Sequence, residues 1–97
     1  MTEDEDNLQE LVDFVLSVDR RYLVIKEFQE HKILQASHIA KKVGRSLQNC
    51  SRALKELEKS EIVILLTPEK ESWKRYILSE KGKKLLNVLK RQGWFRA

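Results

Sequence analysis

The chain has 97 residues, which is the size of one small domain and too short for a two-domain enzyme with a cleft between its domains. A hydrophobic fraction of 41% and a charged fraction of 35% predict a globular protein with a heavily charged surface. The short apolar runs exclude a bilayer-spanning helix, and the acidic start does not resemble a secretory signal. A single cysteine, Cys50, excludes an internal disulfide and fits the reducing cytoplasm, where we expect the protein to act.

The net charge of +4 is distributed unevenly along the chain. Residues 1–19 contain seven acids and no Lys or Arg, so this segment carries −7. Residues 20–97 contain all 19 bases and the other eight acids, so they carry +11. This segregation indicates one basic face, which favours an anionic partner.

Hydrophobic periodicity predicts two helices in the first third of the chain. Residues 1–7 are acidic and polar, and we expect a disordered tail there. A helix is predicted over 8–16, and a second helix over 18–30, with a break near Ser17 because serine is a good N-cap. The second helix carries so many apolar residues that we expect it at the centre of the core.

Two shorter helices are predicted next, joined by a tight turn. After an extended link over 32–34, a helix is predicted over 36–43, and Gly44 permits the left-handed turn that follows. Ser46 caps a helix predicted over 46–59. The apolar stripe of this last helix, predicted to face the core, comprises Leu47, Cys50, Leu54 and Leu57.

The final third of the chain predicts a hairpin and one more helix. Two β-branched or aromatic stretches flank a polar turn with Pro68, which predicts a hairpin over 62–78. A last helix, capped by Ser79, is predicted over 79–92, and residues 93–97 are predicted to form a tail. The sequence therefore predicts a single domain over 8–92 that is mainly α with a small β-hairpin.

A helix, a turn with Gly, a second helix and then a β-hairpin is the order of the winged helix-turn-helix. Residues 33–44 (ILQASHIAKKVG) resemble the positioning helix and turn of that fold, and 46–62 (SLQNCSRALKELEKSEI) resemble the recognition helix and its exit. Residues 76–86 (YILSEKGKKLL) look like the join between wing and last helix in MarR-like, ArsR-like and related bacterial and archaeal regulators. The resemblance covers about 18–90, and it implies a DNA-binding transcriptional regulator.

The polar face of the helix predicted over 46–59 supplies candidate base contacts. Amides pair bidentately with adenine and a guanidinium pairs with guanine, so Gln48, Asn49 and Arg52 are expected at base edges in the major groove. Basic residues before and beside this helix, and those of the hairpin, are expected to hold phosphates. The full predicted DNA-binding set is Lys41, Lys42, Arg45, Ser46, Gln48, Asn49, Ser51, Arg52, Lys55, Lys70, Lys74 and Arg75.

The two terminal helices carry more apolar surface than the predicted core needs. In related regulators the terminal helices form the dimer interface, so the resemblance implies a homodimer that places two recognition helices on a palindromic site. The alternative is that these helices fold back onto their own subunit. The predicted interface residues are Leu8, Leu11, Val12, Val15, Leu85, Leu86, Val88, Leu89, Trp94 and Phe95.

No motif for catalysis, for phosphate cradling or for a cofactor occurs in the sequence, so we expect neither an enzyme nor a cofactor. ArsR-like metal sensors carry paired Cys or clustered His, whereas His31 and His38 are isolated here, and no metal site is predicted. Cys50 shares the apolar stripe of its helix, which predicts a buried and inert thiol and argues against a redox switch.

The predicted function is that of a sequence-specific regulator of transcription that binds double-stranded DNA. The alternative is a winged-helix adaptor that meets a protein through the same polar face and does not contact bases. A third possibility is an RNA-binding or architectural protein that uses the basic surface without sequence preference.

Overall fold

The computed structural model describes the backbone of residues 3–67 and 74–95, and the side chains from Leu8 onward within those ranges. The described ranges contain five helices and three short strands. In chain order these are α1 Glu3–Leu16, α2 Asp19–Glu27, β1 Leu34–Gln35, α3 Ala36–Val43, α4 Leu47–Lys59, β2 Val63–Leu65, β3 Arg75–Leu78 and α5 Glu80–Arg91. None of these helices is long and apolar enough to cross a bilayer.

The break between α1 and α2 lies where the sequence predicts it, but Ser17 is not the cap of α2. The Ser17 backbone N–H donates to the Asp13 carbonyl at 3.0 Å, and its hydroxyl donates to the Phe14 carbonyl at 2.8 Å. Ser17 therefore closes α1. The N-cap of α2 is Val18, which has no side-chain capping bond, and Asp19 supplies a negative charge to the first turn.

Two helix ends differ from the predicted bounds. α1 begins at Glu3, so the disordered tail expected over 1–7 is replaced by helix from Glu3 onward. Acidic residues are favourable in a first turn because they complement the positive end of the helix dipole. α2 ends at Glu27 and not at residue 30, because the next N–H groups donate three residues back, as Phe28 does to Ile25 at 3.0 Å.

The helix-turn-helix formed by α3 and α4 has the predicted local chemistry. Gly44 has φ +72°, and its N–H donates to the Ala40 carbonyl at 3.0 Å, which ends α3. Ser46 Oγ accepts the Asn49 N–H at 3.0 Å and caps α4. Leu47 is the exception to the predicted apolar stripe: it is 56% exposed, since it lies in the first turn at the edge of the buried face. The residues of α4 that are buried are Cys50, Ala53, Leu54 and Leu57.

The sheet has three antiparallel strands in the order β1-β3-β2. β2 and β3 form the predicted hairpin, with Val63 opposite Leu78 and Ile64 opposite Ile77. The segment predicted only as an extended link supplies β1, which pairs Leu34 with Tyr76. Two residues of strand are too short for a periodicity signal, and their pairing with β3 is a tertiary interaction.

The terminal helices pack mainly on their own subunit, so the dimer prediction needs correction for most of its residues. Phe95 stacks on Tyr22 with ring centroids 5.6 Å apart, and the Tyr22 hydroxyl donates to the Trp94 carbonyl at 2.6 Å. The segment expected as a tail after residue 92 therefore folds back as far as Phe95. Six residues predicted at the interface are buried within the subunit: Val12, Val15, Leu85, Leu86, Leu89 and Phe95.

Candidate nucleic-acid interface

One side of α4 is a polar ridge, directed away from the core. Its buried residues fall on one side of the helix at about 100° per residue, and the residues opposite them are exposed. The guanidinium of Arg52 and the ammonium of Lys55 make no ion pair with another residue of the described ranges, so both remain available to a ligand. The exposed residues of the ridge and its flank are Gln48, Asn49, Ser51, Arg52, Lys55, Glu58 and Lys59.

The start of α4 is open to solvent and joins the ridge. Ser46 is exposed, and its hydroxyl oxygen accepts the capping bond from Asn49. A serine hydroxyl can accept one hydrogen bond and still donate its own proton, so capping leaves Ser46 able to contact a phosphate. Together with the positive end of the helix dipole, this makes the start of α4 suitable for an anion.

Glu56 lies on α4 beside the ridge, but its side chain faces α2. Its carboxylate receives Arg20 Nη2 at 2.6 Å and Arg21 Nε at 3.0 Å. The hydrogen bond from Arg20, followed by that from Arg21, lowers the pKa of Glu56. The two pairs join α2 to α4 and neutralise a carboxylate that would otherwise repel an anion at the ridge.

We expect Glu56→Gln to lower the free energy of unfolding at neutral pH by about 1 kcal/mol, because two charge-assisted hydrogen bonds are weakened at a partly exposed site. Since the folded pKa of Glu56 is lowered, the stabilisation is present above the unfolded pKa and is lost as the pH falls through the folded pKa. Urea unfolding should therefore show a difference between variant and wild type at neutral pH that disappears in acid. Glu58→Gln, on the exposed side of the same helix, is the control. An equal difference at both pH values would contradict the ion-pair explanation.

Two cations predicted to hold phosphates are paired with acids of α2 or the turn after it. Lys42 Nζ lies 3.1 Å from Glu27 Oε1 and 2.6 Å from Glu30 Oε1, and Arg45 forms an ion pair with Asp19. The hydrogen bond with Glu30 raises the pKa of Lys42 and lowers the pKa of Glu30. Both cations would have to exchange a carboxylate for a phosphate. Lys41 is exposed and has no ion pair with a described residue.

The wing residues of the predicted set lie only partly within the described ranges. Lys74 is half-buried just before β3, and Arg75 is exposed in it. The Arg75 backbone N–H donates to Thr67 Oγ1 at 3.1 Å, which ties the base of the wing together. Lys70 lies outside the described residues, so its predicted phosphate contact stays a prediction.

The side chain of Cys50 is 2% exposed and lies in the core between α4 and its neighbours, as the sequence predicts. Burial raises the pKa of the Cys50 thiol, which lowers the fraction of reactive thiolate. We expect iodoacetamide to modify Cys50 slowly in the folded protein and rapidly in denaturant, as followed by intact mass. Rapid labelling of the folded protein would show that the thiol is accessible and would reopen the redox hypothesis.

A cluster of polar side chains at the end of α2 was missed at the level of sequence. Possible ligand atoms of Glu27, Glu30 and His31 lie within 4.8 Å of one another, although His31 looks isolated in the sequence. The spacing of Glu27 and His31 in the sequence was the available signal for this cluster. The turn that follows the end of α2 at Glu27 brings the three groups together. Lys42 lies against both glutamates, so this is an ion-pair network and we assign no metal to it.

Comparison with known proteins identifies the class of this fold. Residues 19–64 match a family model described as winged helix-turn-helix DNA-binding. This segment contains α2, β1, α3, α4 and most of β2, and the chain has the winged helix-turn-helix fold. The predicted fold and the resemblance stated from sequence are confirmed. A search of curated proteins found no match.

Solved structures share the fold at low sequence identity. TubR of Bacillus thuringiensis serovar israelensis, bound to 24 bp of tubC, has a TM-score of 0.75 and 17% identity, covering 89% of this chain and 95% of that one. Reduced HlyU of Vibrio cholerae has a TM-score of 0.69 and 15% identity, covering 94% of each chain. A mutant of MepR from S. aureus, bound to an oligodeoxyribonucleotide, has a TM-score of 0.62 and 18% identity over 91% of this chain and 69% of that one.

Proposed function

We propose that the chain is a transcriptional regulator that binds double-stranded DNA at specific sequences and acts by binding alone, without catalysis. The observation that carries this proposal is the exposed ridge of α4 within a winged helix-turn-helix. Gln48, Asn49 and Arg52 lie in its first turns, where side chains of a recognition helix meet base edges. Lys41, Ser46 and Lys55 flank them and contact phosphates, which set affinity and register.

The family model and two solved relatives support DNA as the partner. The matched family is described as DNA-binding, and TubR and MepR are both described in complex with DNA. The charge split agrees with this assignment, since the segment carrying +11 contains the whole helix-turn-helix and wing. A DNA-binding regulator of the bacterial or archaeal type acts in the cytoplasm, which is where we propose that this chain is found.

We further propose a homodimer formed through α1 and α5. Leu8, Leu11 and Val88 are only half-buried in the subunit, and Trp94, which follows α5, is 47% exposed. These four remain of the ten residues predicted at the interface after the buried six are removed. A two-fold dimer would present two copies of α4 to a palindromic site. Sedimentation at micromolar concentration that finds only monomer would overturn this part of the proposal.

The function is tested by selecting DNA fragments from the source genome and measuring their retention in a gel shift with excess random duplex. A regulator should retain a small set of fragments that share a sequence. An adaptor that uses the ridge for a protein would show only weak electrostatic binding to all fragments, which the competitor removes. Equal binding to single-stranded RNA would favour the third possibility and would contradict the proposal.

We expect Lys41→Ala to weaken binding to specific and random DNA by the same factor and to flatten the salt dependence, since a phosphate contact carries no sequence information. Lys42→Ala should weaken binding less, because in the free protein Lys42 Nζ is held by Glu27 and Glu30 and must leave them to reach a phosphate. Fluorescence anisotropy at several salt concentrations measures both effects. A larger loss for Lys42→Ala than for Lys41→Ala would contradict the assigned roles.

A further inference from the structure

The outer face of the three-stranded sheet carries a row of isoleucines. Ile64 of β2 lies opposite Ile77 of β3, and the register of β1 with β3 continues to place Ile33, just before β1, beside Ile77 on the other side. Ile33 is 50% exposed and Ile64 is 46% exposed. The alternate residues Leu34, Val63 and Tyr76 are buried, as the period of two in a sheet requires. The row is therefore a continuous apolar strip on the solvent side of the sheet.

Two neighbouring features enlarge this strip. Leu66, two residues after Ile64 and on the same face, is 43% exposed. An open cavity of about 250 Å³ adjoins the strip at Ile77, with Phe28, Ile77 and Leu78 as its apolar lining. Scattered apolar side chains are ordinary on a surface, but contiguous ones beside a cavity mark a binding surface.

Among the residues that the structure describes, the charged side chains that line the cavity are Lys32 and Lys83. Lys32 has no ion pair with a described residue, and Lys83 has only the exposed pair with Glu80 at 3.3 Å, which leaves its side chain 62% exposed. The exposed side chains of the strip are apolar and cannot bind phosphates, so the strip itself is not part of the proposed DNA site. A second copy of the chain is a poor occupant as well, because packing the face on itself would bring lysine-rimmed surfaces together.

We propose that the isoleucine strip and its cavity bind an acidic, apolar segment of another protein. Apolar side chains of the segment lie across Ile33, Ile77 and Ile64, and one enters the cavity. Carboxylates of the segment lie against Lys32 and Lys83. The strip lies on the sheet and the ridge on α4, so the two proposed sites use different residues.

The test uses the full chain with isoleucine methyl groups labelled for NMR, and a short synthetic peptide in which leucines and glutamates alternate. Addition of the peptide should shift the methyl signals of Ile33, Ile64 and Ile77 more than those of the buried Ile25 and Ile39. A matched peptide with lysine in place of glutamate should bind about tenfold more weakly, since it lacks the opposite charge. Equal shifts with both peptides would show that only apolar adhesion occurs and would overturn the proposal.

Variants separate this surface from its neighbours. Ile64→Thr keeps a β-branched residue in the strand. It should lower the affinity for the glutamate peptide about fivefold, because apolar contact is removed. Leu47→Ala removes from α4 an apolar side chain that is 56% exposed, against 46% for Ile64, and should leave peptide binding unchanged. Lys32→Glu should lower the affinity for the glutamate peptide, whereas the matched variant Lys90→Glu, on α5, should not. Loss of peptide binding in the Leu47 or Lys90 variant would contradict the assigned location.

Two further readouts complete the test. Methyl shifts of Ile33 and Ile64 that depend on protein concentration without peptide would show that a second copy occupies the face, which would overturn the proposal. DNA affinity should be the same for Ile64→Thr and wild type. Because peptide binding is measured without DNA, failure of the proposed DNA function would leave this result unaffected, and the two proposals fail independently.

Discussion

Gly82→Ala should lower the free energy of unfolding by about 3 kcal/mol, although glycine to alanine in an open helix interior is stabilising by about 1 kcal/mol. Gly82 lies in the first turn of α5, where this helix packs against Ile62, the residue just before β2. A Cβ at this position would overlap the Ile62 carbonyl oxygen and lie 2.9 Å from Leu78 Cδ2. Side-chain movement can relieve the contact with Leu78 but not the contact with the backbone.

The Ile62 carbonyl cannot move away without loss of other bonds. It accepts the Ser79 N–H at 3.0 Å. The Ser79 hydroxyl shares its one proton between the Glu61 carbonyl at 2.6 Å and the Ile62 carbonyl at 3.0 Å, and the same Ser79 caps α5 by accepting the Gly82 N–H. Asn87 is an exposed position of α5 and serves as the control. The difference in unfolding free energy between Gly82→Ala and Asn87→Ala, measured in urea, isolates the effect of the contact with Ile62. The Asn87 variant should be neutral or slightly stabilised. Stabilisation of Gly82→Ala would show that α5 does not pack this tightly.

Arg52→Ala should cost about 1–3 kcal/mol of binding free energy on the specific DNA site, because a bidentate contact of guanidinium with guanine is lost. On random duplex the loss should be much smaller. Arg52 is exposed and makes no ion pair with another described residue, so the fold should be unchanged. The ratio of specific to random affinity is the quantity that reports a base contact, and anisotropy at one fixed salt concentration measures it.

Lys59→Ala is the matched control for Arg52. It removes one positive charge from the same ridge about two turns further along α4, beyond the turns expected at base edges. Lys59→Ala should lose little binding free energy, and the loss should be the same on the specific site and on random duplex. Equal losses on specific and random DNA for Arg52→Ala itself would assign Arg52 to a phosphate and remove its role in specificity.

Local chemistry explains why most of the fold could be predicted from the sequence. Gly44 and Ser46 end α3 and begin α4 within one residue of the predicted bounds, because a left-handed turn and a side-chain cap depend on the residues themselves. Ser79 begins α5 for the same reason. Ser17 was assigned wrongly because a serine hydroxyl can bond forward as a cap or backward to the preceding turn, and the choice depends on the packing of α1.

Tertiary contacts explain what the sequence could not predict about the candidate site. The periodicity of α4 separates a buried from an exposed side, and Gln48, Arg52 and Lys55 are exposed as predicted. It does not reveal that Glu56 faces Arg20 and Arg21, or that Lys42 is held by acids of α2 and the turn after it. Such pairs join residues that are 12 to 36 positions apart and depend on the packing of α2.

The charge split now has a structural interpretation. The acidic segment forms α1 and the start of α2, and its last acid, Asp19, pairs with Arg45 at the turn before α4. The acidic part therefore reaches the edge of the proposed DNA surface and is not wholly remote from it. The basic part includes the ridge of α4, whose cations Arg52 and Lys55 are available to DNA.

The ratio of the affinity for a selected genomic site to the affinity for random duplex, measured at fixed salt, tests the central claim most directly. A sequence-specific regulator should bind its site at least about a thousandfold more tightly than random DNA, and Arg52→Ala should reduce that ratio. A ratio near one for the wild-type protein, with binding that salt abolishes on every sequence alike, would contradict sequence-specific recognition by α4.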